Sequence, residues 1–470
     1  MTRILAFVGT RPEIIKMAPV IRALQAKRSV ELVLGHSGQH YDMEMSQVFI
    51  RQLGLPRPDF NIEAGPGSHA MQSSRIMMGC ETAIRRYEPD VVVAQGDTNT
   101  VVAVGLASVK LQVPFAHVEA GLRSFDRTMP EEINRVLADH CAELCFAPSE
   151  IAATNLMREG IMPQRIAVTG NTIVDACLAN LPLAERFSRV SELIGTDIAD
   201  RDFCLLTAHR AENVDSPQML RRLVSLILKL KNFSIIYPVH PRARTRFQKF
   251  GLWKKLRRQK NVVLLPPLSY WDFLWLLSRC RFVLTDSGGV QEEAFTLGVP
   301  CVTLRDNTER PETVISGCNV VTGLDSDRVY SAIANIQVLQ RSAASIRENP
   351  LGDGRAGRRI AHLLITRARS KTGIEHSSFP LDGYATRMLI SAARLRQPCK
   401  LHLISMAYNS HGELKLPAPH RNMIGWHVEI FGEPAVLKRC VRENYQKRIK
   451  RKGLTKAAIS RHLAHSRIHQ

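Results

Sequence analysis

Aromatic residues are scarce in this 470-residue chain, at 6%, and acidic residues are outnumbered, 43 Asp+Glu against 64 Lys+Arg. No apolar run approaches the ~20 residues that cross a bilayer, so no membrane association is expected. The opening Met1-Thr2-Arg3 before Ile4–Val8 has too short an apolar core for a secretory signal. Ten cysteines are scattered without metal-ligand or disulfide-framework spacing; Cys141 and Cys145, four apart on an expected helix, have no partner pair elsewhere. They read as reduced core thiols of a cytoplasmic protein, and no metal site is expected. Internal repeats and low-complexity segments are missing as well. With 45% hydrophobic and 23% charged residues, this excludes a mostly disordered chain, a collagen-like fibre and a disulfide-dense scaffold. The length sets a prior of about three domains.

The formal charge of +21 is unevenly spread. Residues 371–470 hold 18 Lys+Arg against 6 Asp+Glu, a net of +12, and 8 of the 16 histidines. The first 370 residues keep +9. The chain therefore reads as a mildly basic body and a strongly basic tail.

The body alternates apolar strands with helical segments, the pattern of parallel sheets flanked by helices. Strands are expected at Ile4–Val8, Glu31–Leu34, Val91–Gln95, Phe115–Val118, Leu144–Ala147 and Ile166–Thr169. A second series comprises Phe203–Thr207, Ser234–Val239, Val262–Leu265, Phe282–Thr285 and Cys301–Leu304. The polar-interrupted stretch Asn180–Arg201 reads as the connection between them. Thr10 is placed to cap a helix running through Leu24, and Pro12 suits its first turn. The expectation is α/β: two Rossmann-like, doubly wound domains facing a cleft.

Ligands of such sheets bind beyond the carboxyl ends of the strands, and those ends are polar here. The first strand delivers Arg11 and Lys16, a later one Asp97, and Phe115–Val118 leads into Glu119. Glu131 follows Pro130, which opens a helix. In the second series His209 and Arg210 follow one strand, His240 another, and Phe282–Thr285 runs into Asp286-Ser287-Gly288-Gly289. Two glycines at a helix start let backbone approach a phosphate, and free amides with the helix dipole favour its charge. Glu293 is placed to meet a ribose diol. Neither a Walker loop nor G-x-G-x-x-G is present, which argues against ATP and NAD. Gathered carboxylates shift one another's proton affinities and suit acid/base work. Arg11, Lys16, Arg210 and Arg310 supply positive charge for a diphosphate.

GTRPE with Lys16, HSGQHYD, GDTNT, HVEAGLRS, PEEINR, TAHRAEN, DSGGVQEE and RDNTERPET run in one order over about residues 1–365. This set resembles the non-hydrolysing UDP-N-acetylglucosamine 2-epimerases. The resemblance implies a GT-B architecture with residues 1–178 as an N-terminal Rossmann-like domain and 179–352 as the UDP-binding one. Residues 353–370 would form a closing helix, and 371–470 a basic extension, partly disordered. It implies a homodimer that interconverts UDP-N-acetylglucosamine and UDP-N-acetylmannosamine without a cofactor, supplying surface polysaccharides. Asp97, Glu119, Glu131 and His209 match the family's catalytic positions. Arg11, Lys16, Arg210, Phe273, Ser287, Gly288, Gly289, Glu293 and Arg310 match its substrate-binding ones. Anti elimination of UDP to a 2-acetamidoglucal and re-addition on the other face is the implied chemistry.

Two stretches depart from the family pattern. Where many bacterial members place an Arg-Gln pair that contacts a second UDP-N-acetylglucosamine, this chain reads Gly65-Pro66-Gly67-Ser68-His69. Gln39, His40 and His240 remain as candidate second-site residues. The uracil loop carries Leu268 in place of a polar side chain, with Phe273 fitting stacking or packing near the base. The tail matches nothing in the family. Its basic run Lys447–Lys452 faintly resembles the start of a helix-turn-helix reader, but no complete second helix follows, and nucleic-acid binding is not the favoured reading. A hydrolysing relative, or a GT-B glycosyltransferase, is the alternative enzyme class.

Overall fold

The computed structural model describes residues 1–39, 43–195, 202–345, 349–369, 401–403 and 428–430. By compactness the chain divides into one unit of Met1–Asn155 with Arg165–Lys371, and another of Leu156–Gln164 with Thr372–Gln470.

The first unit holds two wholly parallel sheets. One comprises β1 (Thr2–Val8), β2 (Val30–His36), β3 (Phe60–Asn61), β4 (Val91–Gln95), β5 (Phe115–Val118), β6 (Leu144–Ala147) and β7 (Ile166–Val168). Their order is β3-β2-β1-β4-β5-β6-β7. The other comprises β8 (Phe203–Thr207), β9 (Ser234–Pro238), β10 (Val262–Leu265), β11 (Phe282–Thr285), β12 (Cys301–Thr303) and β13 (Asn319–Val321), ordered β10-β9-β8-β11-β12-β13. Strands covered on both faces read as near-continuous apolar runs. Val91, Val92, Val93 and Ala94 are accordingly all fully buried. Each such side chain contributes about 1.5–3 kcal/mol when large and aliphatic.

In each sheet the strand order reverses once, between β1 and β4 and between β8 and β11. A crevice opens beyond the carboxyl ends of the strands at such a reversal. The turns that emerge there are Gly9-Thr10-Arg11, Gly96-Asp97, Ala208-His209 and Asp286-Ser287. Most of the polar residues picked out in the sequence therefore converge.

The helix Arg11–Gln25 starts at the N-cap Thr10, and the Glu13 carboxylate accepts the Thr10 backbone N–H at 3.0 Å. The helix Ala356–Arg369 packs along it. A side chain at Gly357 would stand 2.6 Å from the backbone of Pro19, so only glycine permits this approach. Asp175 caps that helix by accepting the Ala356 and Gly357 N–H groups at 3.1 and 2.8 Å.

Several expectations need correction. The connection read at Asn180–Arg201 is helical over its first residues, because the helix Thr172–Phe187 continues through Asn180 and carries Pro182 inside it. Its packing against the helices Tyr270–Arg279 and Gly288–Leu297 outweighs the local polarity. Residues 196–201 lie outside the described ones. Cys141 and Cys145 do not share a helix. The helix Pro130–Cys141 ends where Ala142 turns extended, and Cys145 lies in β6. The eight described cysteines are unpaired, seven of them buried. The edge strands β3 and β13, two and three residues long, were not expected; so short a run carries little alternation to read.

No helix among the described residues is long and apolar enough to cross a membrane. In the second unit, β14 (Leu401–Leu403) and β15 (Val428–Ile430) pair in parallel. The rest of the basic tail, including its expected partial disorder and its basic run, lies outside the described residues.

Candidate active site

Glu119 leaves β5 with φ of 71°, a left-handed conformation that costs a non-glycine residue on the order of 1–3 kcal/mol. Its surroundings hold it there. The Glu119 and Ala120 N–H groups both donate to the Phe146 carbonyl at 3.1 Å. Its Oε1 accepts from Lys16 Nζ and from Arg310 Nη2, each at 2.7 Å, and its Oε2 accepts from the Gln95 amide.

Glu292 completes this cluster. It is fully buried, sits 3.0 Å from Lys16 Nζ, pairs with Arg310 Nε, and accepts from Asn171 Nδ2 at 2.7 Å. Two cations and two carboxylates thus form a buried, charge-balanced set, which is what removal from water demands. Burial alone would lower the Lys16 ammonium, but Glu119 and Glu292 more than offset it, and its pKa is raised.

A second group lies around Asp97. Arg135 Nη2 reaches its Oδ2 at 2.5 Å, and the Asn134 amide donates to its carbonyl at 2.9 Å. Burial pushes this carboxyl up, yet Arg135 and then Arg210 outweigh it and hold it below the ordinary carboxylate range. Arg210 Nη1 donates to Glu131 Oε1 at 2.9 Å in a half-exposed pair. Arg135 also contacts Glu132 at 2.9 Å and Glu309 at 3.4 Å.

His209 follows β8. Its Nδ1 lies 3.2 Å from Asp286 Oδ1, while the His209 and Arg210 backbone N–H groups donate to Asp286 Oδ2 at 2.8 and 2.9 Å. Burial raises the Asp286 carboxyl, but His209 and these bonds bring it down to about 2. An ionised carboxylate beside an imidazole is an arrangement by which enzymes fix a proton-transfer group. The His240 ring lies beside it, centroids 5.2 Å apart.

Ser287 is the N-cap of the helix Gly288–Leu297, so its first N–H groups lack intrahelical partners and face the crevice. A Cβ at Gly288 would sit 3.4 Å from the Arg310 guanidinium, and one at Gly289 would meet nothing nearer than 4.0 Å. Gly289 therefore leaves room for an anion, and Gly288 lets Arg310 close in. Glu293, one turn on, is buried, and burial pushes its carboxyl up to about 7. Arg11, over the Phe49 ring at 4.3 Å, is brought down to about 10, again by burial.

Other residues singled out in the sequence have the following neighbours. Phe273 packs in a core cluster with Leu268, Leu276 and Val290. Gln39 Oε1 accepts from the Thr100 N–H at 3.0 Å and from its hydroxyl at 2.8 Å. His40 lies outside the described residues. Ser68, in the departing stretch, N-caps the helix His69–Tyr87. Glu292, Arg135 and Asp286 were quoted within motifs but given no role. Their apolar or charged neighbours in sequence carry no sign of which one turns inward.

Two parallel α/β sheets whose crevice-side turns share one polar centre define a GT-B protein. The family model described as UDP-N-acetylglucosamine 2-epimerase matches residues 22–365. The chain is 46% identical over 360 residues to the UDP-N-acetylglucosamine 2-epimerase of Methanocaldococcus jannaschii, covering 76% of this chain and 97% of that protein. A crystal structure of the M. jannaschii enzyme in complex with UDP-GlcNAc and UDP superposes with a TM-score of 0.72 at 44% identity, over 78% of this chain and all of that one. The Neisseria meningitidis UDP-GlcNAc 2-epimerase bound to UDP-GlcNAc gives 0.70 at 31% identity, over 78% of this chain and all of that one. This chain belongs to the UDP-N-acetylglucosamine 2-epimerase family.

Proposed function

We propose that this chain interconverts UDP-N-acetylglucosamine and UDP-N-acetylmannosamine at carbon 2. The observation that carries the reading is the meeting of Glu119 and Arg310 at 2.7 Å, a carboxylate of the first sheet against a cation of the second. Acid/base groups and a diphosphate cradle thereby share one centre. Relatives named for this reaction, one of them in complex with UDP-GlcNAc and UDP, support the assignment.

In this reading residues 1–178 supply the carboxylates, 179–352 hold the UDP, and 353–370 close back on the first domain. The helix amides after Ser287, with Arg11, Arg210 and Arg310, stabilise the diphosphate. The carbon-2 proton is weakly acidic, so its removal is coupled to departure of that leaving group. A carboxylate among Asp97, Glu119 and Glu131 takes the proton. The electron pair of the C–H bond forms the double bond of a 2-acetamidoglucal, and the C1–O bond breaks with its electrons leaving on UDP. Re-addition of UDP to carbon 1 with protonation of carbon 2 on the opposite face gives the epimer. Charge developing on the leaving oxygen meets donors already in place, the arrangement that lowers such barriers most. His209, oriented by Asp286, stands ready at the leaving group. The protein works in the cytoplasm as a homodimer, and its product enters surface-polysaccharide synthesis.

Proton NMR of the sugar nucleotide in deuterium oxide tests the reading. Epimer with deuterium at carbon 2 is expected. Retention of the original proton rejects the mechanism, free N-acetylmannosamine shows hydrolysis, and no epimer rejects the activity.

A further inference from the structure

His117, in β5, is fully buried and belongs to none of the groups placed around the substrate. Both of its ring nitrogens are engaged. Nδ1 lies 2.6 Å from Asp139 Oδ1, and Nε2 lies 2.7 Å from the carbonyl oxygen of Gly96. A carbonyl only accepts, so Nε2 carries a hydrogen, and Nδ1 shares one with the carboxylate. Asp139, also fully buried, uses Oδ2 to accept from the Gly121 N–H at 3.1 Å and from Arg123 Nη2 at 2.6 Å.

Each end of this bridge lands on a turn of unusual backbone. Gly96 has φ of 91° and directly precedes Asp97. Gly121 has φ of 83°, and Glu119 beside it has φ of 71°. The strands β4 and β5 are paired, so the two turns leave adjacent strands side by side. Past the ladder the Gly96 N–H still donates to the Val118 carbonyl at 3.1 Å, while the Glu119 and Ala120 N–H groups turn to Phe146. The imidazole, with Asp139 behind it, adds a side-chain tie that runs from the Gly96 carbonyl to the Gly121 N–H.

We propose that His117 is a positioning residue that sets the distance between the Asp97 and Glu119 carboxylates by clamping both turns from below. The inference rests on the proposed epimerisation for its catalytic consequence, though not for the clamp itself. A displacement of about 1 Å in reacting groups costs on the order of 100-fold in rate. Loss of the clamp should therefore appear in kcat, whereas the UDP cradle on the second sheet keeps its geometry.

Three variants separate the bonds. Asn places an amide near Nδ1 and keeps the bond to Asp139. Gln places one near Nε2 and keeps the bond to Gly96. Phe keeps the ring and neither bond. Hydrogen exchange by mass spectrometry reads the clamp without reference to activity. His117→Asn should speed exchange in the peptide holding Gly96–Thr98, His117→Gln in the peptide holding Glu119–Arg123, and His117→Phe in both. Turnover of UDP-N-acetylglucosamine should fall about 100-fold in His117→Phe, with UDP affinity within threefold of the parent and partial recovery of kcat in one amide variant.

Unchanged exchange in both peptides overturns the clamp. Altered exchange with unchanged kcat overturns its catalytic consequence, and equal losses of kcat and UDP affinity reduce His117 to a fold-supporting residue. If His117→Phe does not fold, the Asn and Gln variants decide by the same criteria. If the parent protein does not epimerise, the proposed function falls while the exchange measurement still decides the clamp.

Discussion

Glu119 and Arg310 stand 191 residues apart and meet at 2.7 Å, with Lys16 on the same carboxylate oxygen. The pair is buried and is completed by Glu292, so no member can be removed without leaving a charge uncompensated. A diphosphate entering the crevice would draw Arg310 toward its own oxygens and leave Glu119 to Lys16. The first expected outcome follows from this exchange.

Arg310→Gln should weaken UDP binding about 10- to 100-fold, the worth of one or two charge-assisted hydrogen bonds. It should also lower stability, by about 3–5 kcal/mol if the cluster does not rearrange. Calorimetric titration with UDP and urea unfolding measure the two effects. Undiminished UDP affinity would remove Arg310 from the cradle.

Asp97→Asn, Glu119→Gln and Glu131→Gln should each reduce turnover far more than UDP affinity. Each keeps the side chain's shape and removes its proton-transfer capacity, worth about 100- to 10,000-fold. Glu293→Gln should instead act on UDP binding. Steady-state rates beside direct UDP titrations separate the two classes. A uniform loss of UDP affinity across all four would make the acidic cluster structural.

The parallel sheets were legible because β1, β4, β5, β8 and β11 are mostly apolar runs that lead into polar or glycine-containing turns. Legibility failed where tertiary packing overrode local polarity, as at Asn180, whose side chain accepts from Trp271 Nε1 at 3.0 Å. The positions of Asp97 and Glu119 were readable from their places just beyond strand ends, whereas Arg310, the N-cap of the helix Pro311–Ile315, stood out only within its motif. The identity of their partners was not readable. Glu292 and Glu293 are adjacent, identical in kind and both buried, yet one holds two cations and the other lies beside Tyr270 and Arg11. Only the rotation of the helix decides between them.

Glu293 also predicts a pH dependence of stability. Burial raises its pKa from 4.5 to about 7, so the folded protein binds a proton that the unfolded chain has released between those values. The contribution of the protonated carboxyl is complete below about pH 4.5 and is lost as the pH rises through 7. At 1.36 kcal/mol per unit its size is on the order of 3 kcal/mol. Glu293→Gln stays neutral throughout, so its stability should fall less than the parent's between pH 5 and 8. Urea unfolding at four pH values measures this, and parallel curves would show that Glu293 is ionised in the folded state. Glu13, also raised to about 7 by burial, acts equally in both proteins and does not disturb the comparison.

Truncation after Ser370 should leave a folded, active epimerase. The helix Ala356–Arg369 ends one residue earlier, and the family model ends at residue 365. Every residue assigned to acid/base work or to the UDP cradle precedes that point. The helix itself must stay, since Ile360, Ala361 and Leu364 are fully buried or nearly so in one core with Ile4, Ala6 and Val91 of the first sheet. Residues 371–470 carry more than half of the net charge, and their 18 Lys+Arg offer trypsin many sites. Limited trypsin digestion followed by mass spectrometry should show the first cuts beyond Ser370, and the 1–370 protein should match the full chain in kcat and in urea midpoint. A tail that resists trypsin, or a truncated protein that aggregates, would instead make residues 371–470 a structural part of the enzyme.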